Sequence, residues 1–299
     1  MTGWEEEERA SLSELIGAAQ AHQMTLSGFM LQGLSDPERH LVEMKKRWAV
    51  MIESMEEGCS GNLRSSGGMV AGDGRRYLDY LASSKGLLDG LTGRVMGYAL
   101  AVSECNATMG RICAAPTAGS CGIIPAVFRG LFESYDLEER AIHHALITAG
   151  VIGSIIAERA TLAGAEGGCQ AECGAASAMA AAGAVELMGG SPPAAGHAAA
   201  LSLKSFLGLV CDPVAGLVEV PCIKRNGIAA LHALGAADLA LAGVESVIPV
   251  DEVIDAMAAV GAALPRTLRE TGEGGVAASP TGRRIAERLA DVTKAEGED

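Results

Sequence analysis

The sequence predicts an all-α fold, with a single large helical domain in which glycine-rich loops carry the functional residues. Hydrophobic residues make up 49% of the 299 residues and aromatic residues only 3%, and 39 residues are glycine. This composition favours helices packed closely through Ala and Gly over a sheet rich in aromatic and β-branched residues. No strand pattern alternates with helical pattern, and no repeat period of 20–50 residues occurs. We therefore treat residues 1–299 as one domain.

In the N-terminal half, apolar and charged residues recur at helical period within 1–57, which predicts two or three amphipathic helices. A long loop rich in Gly and Ser follows at 58–75. The helical pattern resumes at 76–110, and a second loop of Gly, Pro, Thr and Ser spans 114–122. Glycine-rich loops of this length are typical of linkers or of ligand-shaped turns.

In the C-terminal half, the pattern predicts five more helices and a charged tail. Ser191 and Pro192 are a candidate N-cap and first helical residue, and Asp251 is a second candidate N-cap. The predicted helices span 137–160, 172–188, 192 to about 208, 226 to about 242 and 251 to about 263, and the charged C-terminal tail spans 283–299.

Charge and terminal composition restrict the class of partner and the compartment. The net charge of −14 argues against nucleic acid and anionic membrane as partners, because both need clustered Lys and Arg. The N-terminus is acidic and does not resemble a secretory signal. The apolar stretch 174–189 is interrupted by Glu186, so we interpret it as a buried helix. Eight cysteines without a signal peptide predict reduced thiols and a cytoplasmic protein.

Three cysteines stand out because each lies beside Gly or Pro, where the backbone bends. Cys169, Cys211 and Cys222 are separated by 42 and 11 positions, and no C-x-x-C pair occurs among them. A zinc ribbon or a thioredoxin-type site is therefore a poor fit. Three thiolates converging from separate loops suit a metal cluster with one open coordination position.

Cysteines elsewhere have simpler interpretations. Cys59, Cys105 and Cys113 are predicted to be small buried hydrophobic residues. Cys173 follows Cys169 by four positions and would share its helical face, so it is either an alternative ligand or a packing residue, and we favour packing. Cys121, in the 114–122 loop, is expected to line a pocket.

The segments around these cysteines resemble the iron–sulfur L-serine dehydratases, and in particular the alpha chain of the two-subunit type. The resemblance runs along nearly the whole chain, and its motifs are AEGGCQAE at 165–172, LVCDPVAGLVEVPCIKRN at 209–226, APTAGSCGIIP at 115–125, RETGEGG at 269–275 and SPTG at 279–282. It implies an all-α catalytic domain and a [4Fe-4S] cluster held by Cys169, Cys211 and Cys222. It also implies deamination of L-serine to pyruvate and ammonia, a reaction of amino-acid catabolism and gluconeogenesis.

Removal of water from serine requires activation of the hydroxyl group, because hydroxide is a poor leaving group, and removal of a weakly acidic α-proton. Pyridoxal phosphate would need a Schiff-base lysine, but Lys45, Lys46 and Lys85 lie in charged or polar settings. A Lewis acid on the hydroxyl, with a base for the α-proton, is the alternative. The sequence leaves five candidates for this base: Lys204, Lys224, His143, His144 and His197.

Substrate binding is expected from hydroxyl-rich loops and from the residues after Cys222. A bent chain with exposed N–H groups and hydroxyls can hold a carboxylate. A guanidinium can bind the same group through two parallel hydrogen bonds. The candidates are Thr117, Ser120, Ser66, Arg225 and Asn226, with Asp212 and Glu172 as acceptors next to the metal ligands.

Alternatives of a different class remain open from the sequence. The chain could be a non-catalytic iron–sulfur or zinc scaffold subunit, or it could catalyse β-elimination from L-cysteine or L-threonine. Single-chain relatives carry an additional domain, and some end in a cysteine that can occupy the fourth iron position. No cysteine follows Cys222 here, so a tail thiolate is not expected to fill that position. We therefore expect a separate beta subunit that docks near 58–75 or the first helices, within an oligomer.

Overall fold

The computed structural model describes residues 11–83, 86–88 and 90–296. Its α-helices are α1 (Leu12–Ala21), α2 (Leu26–Gln32), α3 (Pro37–Cys59), α4 (Asp73–Ala82), α5 (Gly90–Ala107), α6 (Ile123–Ser134), α7 (Glu139–Arg159), α8 (Gly164–Gly167), α9 (Ala175–Leu187), α10 (Pro192–Lys204), α11 (Cys222–Leu241), α12 (Val250–Ala263) and α13 (Pro280–Glu296). Within the described ranges no β-strand forms, and the all-α prediction is confirmed. The first ten residues and the last three of the predicted tail lie outside the described residues.

Helix α9 lies at the centre of the molecule, and α6, α7, α10 and α11 pack around it. Twelve of its thirteen residues are buried, and most of them are Ala or Gly. A Cβ atom at Gly183 would lie 3.0 Å from the carbonyl oxygen of Ala145 on α7. Small side chains therefore allow the surrounding helices to approach α9 closely, as the high Ala and Gly content predicted.

The one partly exposed residue of α9, Glu186, connects it to two outer helices. Its carboxylate accepts hydrogen bonds from the hydroxyl of Thr148 on α7, at 2.5 Å, and from the hydroxyl of Ser27 on α2. The Ser27 hydroxyl also lies 2.9 Å from Nδ1 of His144. Each polar side chain in this network has a partner, which is the condition for burying it at low cost.

The start of α10 is confirmed by the structure, whereas its end and the bounds of the 58–75 loop differ from the prediction. Ser191 caps α10 by accepting a hydrogen bond from the Ala194 amide at 3.4 Å, and Pro192 is the first helical residue, as predicted. The helix ends at Lys204 rather than near 208. The loop predicted at 58–75 is shorter at both ends, because α3 continues to Cys59 and α4 begins at Asp73.

The prediction that Asp251 caps its own helix is wrong. Helix α12 begins at Val250, and Asp251 lies inside its first turn. Its carboxylate instead accepts hydrogen bonds from the amides of Leu12 and Ser13, both at 2.9 Å, and from the hydroxyl of Ser11 at 3.1 Å. Asp251 therefore caps the N-terminus of α1, a partner 239 positions away that local sequence does not indicate.

Among the described helices, only α7 is long and apolar enough to cross a membrane by length and composition. In the fold, 56% of its most apolar 18-residue window is buried against other helices. A core helix of a helical bundle passes the same test, so this single candidate is weak evidence for a membrane span.

We expect Asp251→Asn to destabilise the chain by roughly 1 kcal/mol near neutral pH, because the α1 amides lose a charged acceptor. Burial opposes ionisation, but hydrogen bonds from Ser13, Leu12 and Ser11 lower the pKa of the Asp251 carboxyl below its ordinary value. The stabilisation is therefore complete above that ordinary pKa and is lost as the pH falls through the lowered one. Urea unfolding of both chains, near neutral pH and in acid, measures the difference.

The exposed neighbour Glu252 provides the matched control, and Glu252→Gln should leave the free energy of unfolding nearly unchanged. A gap between wild type and Asp251→Asn that is equally wide in acid would contradict the capping role.

Candidate metal and substrate site

Four buried cysteines meet at the N-terminal end of α9. The Sγ atoms of Cys169 and Cys173 lie 3.4 Å apart, across the π-helical turn Gln170–Gly174 that leads into α9. The thiols of Cys169 and Cys211 also share a hydrogen bond. Cys222 lies close enough for the charge of Cys169 to affect its pKa. All four are buried, which makes this the main concentration of sulfur ligands in the described chain.

Contacts among these thiols and their burial shift their pKa values in opposite directions. Hydrogen bonds from the Cys173 and Cys211 thiols lower the pKa of Cys169 well below its ordinary value. The same contacts with Cys169 raise the pKa of Cys173 and of Cys211, and burial raises the pKa of Cys222 to about 12. Hydrogen bonds from neighbouring thiols therefore favour the thiolate form of Cys169, whereas burial opposes ionisation of the other three cysteines.

Glu172 joins the cysteines to the loop that carries Thr117. Its Oε1 accepts a hydrogen bond from the Thr117 hydroxyl at 2.9 Å, and its Oε2 lies 3.7 Å from the Sγ atom of Cys211. The Ser120 hydroxyl is 3.1 Å from that of Thr117. Burial, and then the negative charge of Cys169, raise the pKa of Glu172 to about 7. The predicted hydroxyl loop therefore does reach the cysteine group.

A glycine makes room for this arrangement. A Cβ atom at Gly164 would lie 2.6 Å from Oε2 of Glu172 and 3.1 Å from the Sγ atom of Cys211. Any larger residue would displace either the carboxylate or the sulfur, so the close approach of α8 depends on glycine.

Asn226 fixes the start of α11 against the Thr117 loop. Its Nδ2 donates to the carbonyl oxygens of Gly119, at 2.7 Å, and Cys222, at 3.0 Å. Its Oδ1 accepts from the Gly122 amide at 3.0 Å. The prediction that Asn226 opens this helix is wrong, because α11 begins at Cys222, directly after Pro221. Cys222 is therefore a helical residue. Asn226, one turn later, is fully buried and links α11 to the Thr117 loop.

Arg225 places a positive charge beside the cysteines, but its guanidinium already has partners. Nη1 lies 2.8 Å from Oδ1 of Asp212 and donates to the carbonyl oxygen of Val210 at 2.9 Å. Asp212 also accepts a hydrogen bond from the Val276 amide at 2.7 Å. Arg225 lines a surface cavity of about 530 Å³ between the 205–209 segment and α11.

The glycine-rich loop before α4 is attached to the segment that leads to Cys222. The buried carboxylate of Glu219 accepts hydrogen bonds from the Ser65 hydroxyl and the Gly67 amide, both at 2.5 Å, and from the Met69 amide at 3.2 Å. The hydroxyl of Ser66, the predicted substrate ligand, donates instead to the carbonyl oxygen of Ala107 at 3.0 Å.

The two lysine candidates for the base have partners outside the cysteine group. Nζ of Lys204 donates to the carbonyl oxygen of Ser246 at 2.6 Å. The amide of Ser246 donates in turn to Nδ1 of His197, one of the histidine candidates, at 3.3 Å. Nζ of Lys224 forms a 2.6 Å ion pair with Asp73.

The remaining histidine candidates lie on α7. His143 is 3.5 Å from the Glu139 carboxylate, and His144 contacts Ser27. None of the contacts of the five candidates involves a cysteine, and their role as base stays a prediction.

Cys121 does not line a pocket, contrary to the sequence interpretation. It is fully buried and packs with Met55 and Val102 in a small apolar cluster, against which Cys59 also packs. Cys105 is fully buried, as expected of a small hydrophobic residue.

Sequence reasoning missed Glu270 as a site residue. Ligand atoms of Glu172, Cys211 and Glu270 all lie within 4.8 Å of one another, a spacing that could hold a metal ion. The RETGEGG motif contains Glu270, so a signal was present in the sequence, but nothing local indicates that this segment pairs with Cys211.

We expect Asn226→Ala to lower the free energy of unfolding by roughly 2 kcal/mol, because it leaves the buried Gly122 amide without an acceptor. Thermal and urea unfolding measure the loss. Asn62→Ala, at an exposed loop position, is the control and should leave the melting temperature unchanged. Equal melting temperatures for wild type and Asn226→Ala would contradict the role of Asn226 in linking α11 to the Thr117 loop.

Comparison of the sequence with known proteins identifies the family of this chain. Residues 4–277 match the family described as "Serine dehydratase alpha chain". The chain is 44% identical over 284 residues to the "Probable L-serine dehydratase, alpha chain" of Bacillus subtilis (strain 168), covering 93% of this chain and 94% of that one. It is 47% identical over 247 residues to the "L-serine dehydratase, alpha chain" of Peptoniphilus asaccharolyticus, covering 81% and 85%. This chain belongs to the serine dehydratase alpha chain family.

Proposed function

We propose that this chain is the catalytic alpha subunit of an L-serine dehydratase, an ammonia-lyase that converts L-serine to pyruvate and ammonia. The observation that carries the proposal is the meeting of the four buried cysteines with the Thr117 loop and Arg225 at one end of α9. The names of its relatives give the substrate, and the site supplies sulfur ligands, hydroxyls and a guanidinium for the chemistry.

The donor set fits an iron–sulfur cluster. Cys169, Cys211 and Cys222 would hold a [4Fe-4S] cluster, and Cys173 would pack beside it. Cysteine thiolates are the usual ligands of such clusters, and iron supplies the positive charge that the coupled thiols need in order to ionise. When bound, the cluster supplies an iron without a protein ligand as Lewis acid toward the serine hydroxyl.

The chain's own residues bind and orient the substrate. Thr117 and Ser120 offer hydroxyls at the edge of the cysteine group, and Asn226 holds their loop in place. Arg225 supplies positive charge for the substrate carboxylate. Among carboxylates, Glu172 contacts both the hydroxyl loop and a cysteine, so we add it to the candidates that take the α-proton.

Exposed apolar residues favour a partner chain. Ile228 is 61% exposed and Leu239 48% exposed on α11, and Val247 in the following loop is 85% exposed. Relatives of this chain are named alpha chains, which supports a beta subunit as the partner. We propose a cytoplasmic oligomer that contains both chains, with this part of α11 as a further candidate contact besides 58–75 and the first helices.

We expect serine substitution of Cys169, Cys211 or Cys222 to abolish bound iron and pyruvate formation, because each removes one cluster ligand. Anaerobic purification, iron and sulfide analysis and a pyruvate assay measure both properties. Cys59→Ser and Cys105→Ser are the controls and should retain both. Zinc in place of iron, with no pyruvate, would favour a scaffold subunit instead.

We expect the cluster-loaded alpha chain to need the beta chain for full activity at low protein concentration. The assay compares the chain alone and with its partner, on serine, threonine and cysteine. Full activity of the chain alone would contradict the need for a partner. Faster turnover of threonine or cysteine than of serine would instead assign β-elimination from those amino acids.

A further inference from the structure

Glu270 is held beside Cys211 in an unusual backbone conformation. Its φ is +63°, in the left-handed region that residues other than glycine rarely adopt. Two backbone hydrogen bonds hold the segment there: the Cys211 amide donates to Leu268 O at 2.9 Å, and the Glu270 amide donates to Cys211 O at 2.7 Å. The fold therefore fixes the direction of this segment toward a cysteine of the site.

The carboxylate of Glu270 is exposed and forms no hydrogen bond or ion pair within the described residues. Two arginines of adjoining segments are already paired. Arg225 binds Asp212 at 2.8 Å, and Arg266 binds Glu273 at 2.8 Å. A free carboxylate thus remains at the mouth of the site, available to a cation from solution.

The spacing of the acceptor atoms of Glu270, Glu172 and Cys211 suits an ammonium group. Oxygen atoms of Glu270 and Glu172 lie within 4.8 Å of each other and of the Sγ atom of Cys211. A tetrahedral ammonium that donates two hydrogen bonds of about 2.8 Å places its acceptors about 4.6 Å apart. The two carboxylate oxygens lie no more than 4.8 Å apart, so one ammonium can reach both of them.

The local charge calls for such a cation. The carboxylates of Glu172 and Glu270 lie close together beside Cys211, and two like charges at this spacing repel each other. A ligand that carries a positive group relieves this repulsion, whereas a purely anionic ligand increases it.

Given the serine dehydratase function proposed above, we propose that Glu270, with Glu172 opposite, binds the α-ammonium group of the amino-acid substrate. Glu270 is then a specificity-determining residue that selects amino acids over hydroxy acids of the same shape. Glu172 already accepts a hydrogen bond from Thr117, so the free carboxylate of Glu270 contributes most of this selection.

The test compares two ligands that differ at this group: L-serine, and L-glycerate, in which a hydroxyl replaces the ammonium. The cluster-loaded alpha chain with its beta chain is prepared anaerobically as wild type and as Glu270→Gln. Loss of a charged hydrogen bond should raise the Kd and KM of L-serine about tenfold or more. The affinity for L-glycerate, measured by calorimetry, should stay the same or increase.

Glu273→Gln is the matched control, because Glu273 lies in the same segment and is paired with Arg266. It should leave both affinities unchanged. Equal weakening of both ligands by Glu270→Gln, or an unchanged Kd for L-serine, would overturn the proposal. Loss of iron in Glu270→Gln would also overturn it, because Glu270 would then be a metal ligand.

Failure of the proposed function gives a different result. Wild type that binds L-serine more tightly than L-glycerate but forms no pyruvate would refute the dehydratase activity. The ammonium site would still be supported in that case if Glu270→Gln removed the preference.

Discussion

Close packing around α9 is the constraint on which the rest of the structure depends. Twelve of its residues are buried, and four helices lie against it, so most positions have room only for Ala or Gly. Dense packing of this kind leaves little freedom to shift one helix past another. The N-terminal end of α9 is therefore held in a fixed position, and the four cysteines of the site lie there.

Three segments of the chain meet at this end of α9 and supply the four cysteines of the site. The π-helical turn before α9 supplies Cys169 and Cys173, an extended segment supplies Cys211, and the first residue of α11 is Cys222. The N-terminus of a helix and the guanidinium of Arg225 both favour negative charge on sulfur. Burial opposes it, and burial raises the pKa of the Cys222 thiol. The arrangement suits the thiolate ligands of the cluster that we propose, because a bound metal would offset the cost of ionising buried thiols.

Sequence reasoning succeeded where the determining contact is local. Helical periodicity predicted the all-α fold, and Ser191 followed by Pro192 predicted the start of α10. It failed where the partner is distant in sequence. Asp251 has the residue type of an N-cap, but it caps α1, which is distant in sequence, and Cys121 lies in the predicted 114–122 loop but packs in an apolar cluster. Helix α11 begins at Cys222, with Pro221 as its N-cap, four positions before Asn226.

For the site, the motifs predicted which residues are important but not how they are paired. The Thr117 loop and Arg225 do lie at the cysteine group, whereas Ser66 and the five candidate bases have other partners. Glu270 is brought to Cys211 by a single backbone bridge and a left-handed residue, and neither feature can be read from local composition.

We propose that Cys169, Cys211 and Cys222 hold an iron–sulfur cluster with one iron open to substrate. Mössbauer spectroscopy of the ⁵⁷Fe-loaded chain, prepared anaerobically with its partner, tests it most directly. One iron of the cluster should differ from the others, and its isomer shift alone should change when L-serine is added. A spectrum that shows equivalent irons and no response to L-serine, or mononuclear iron alone, would contradict the account.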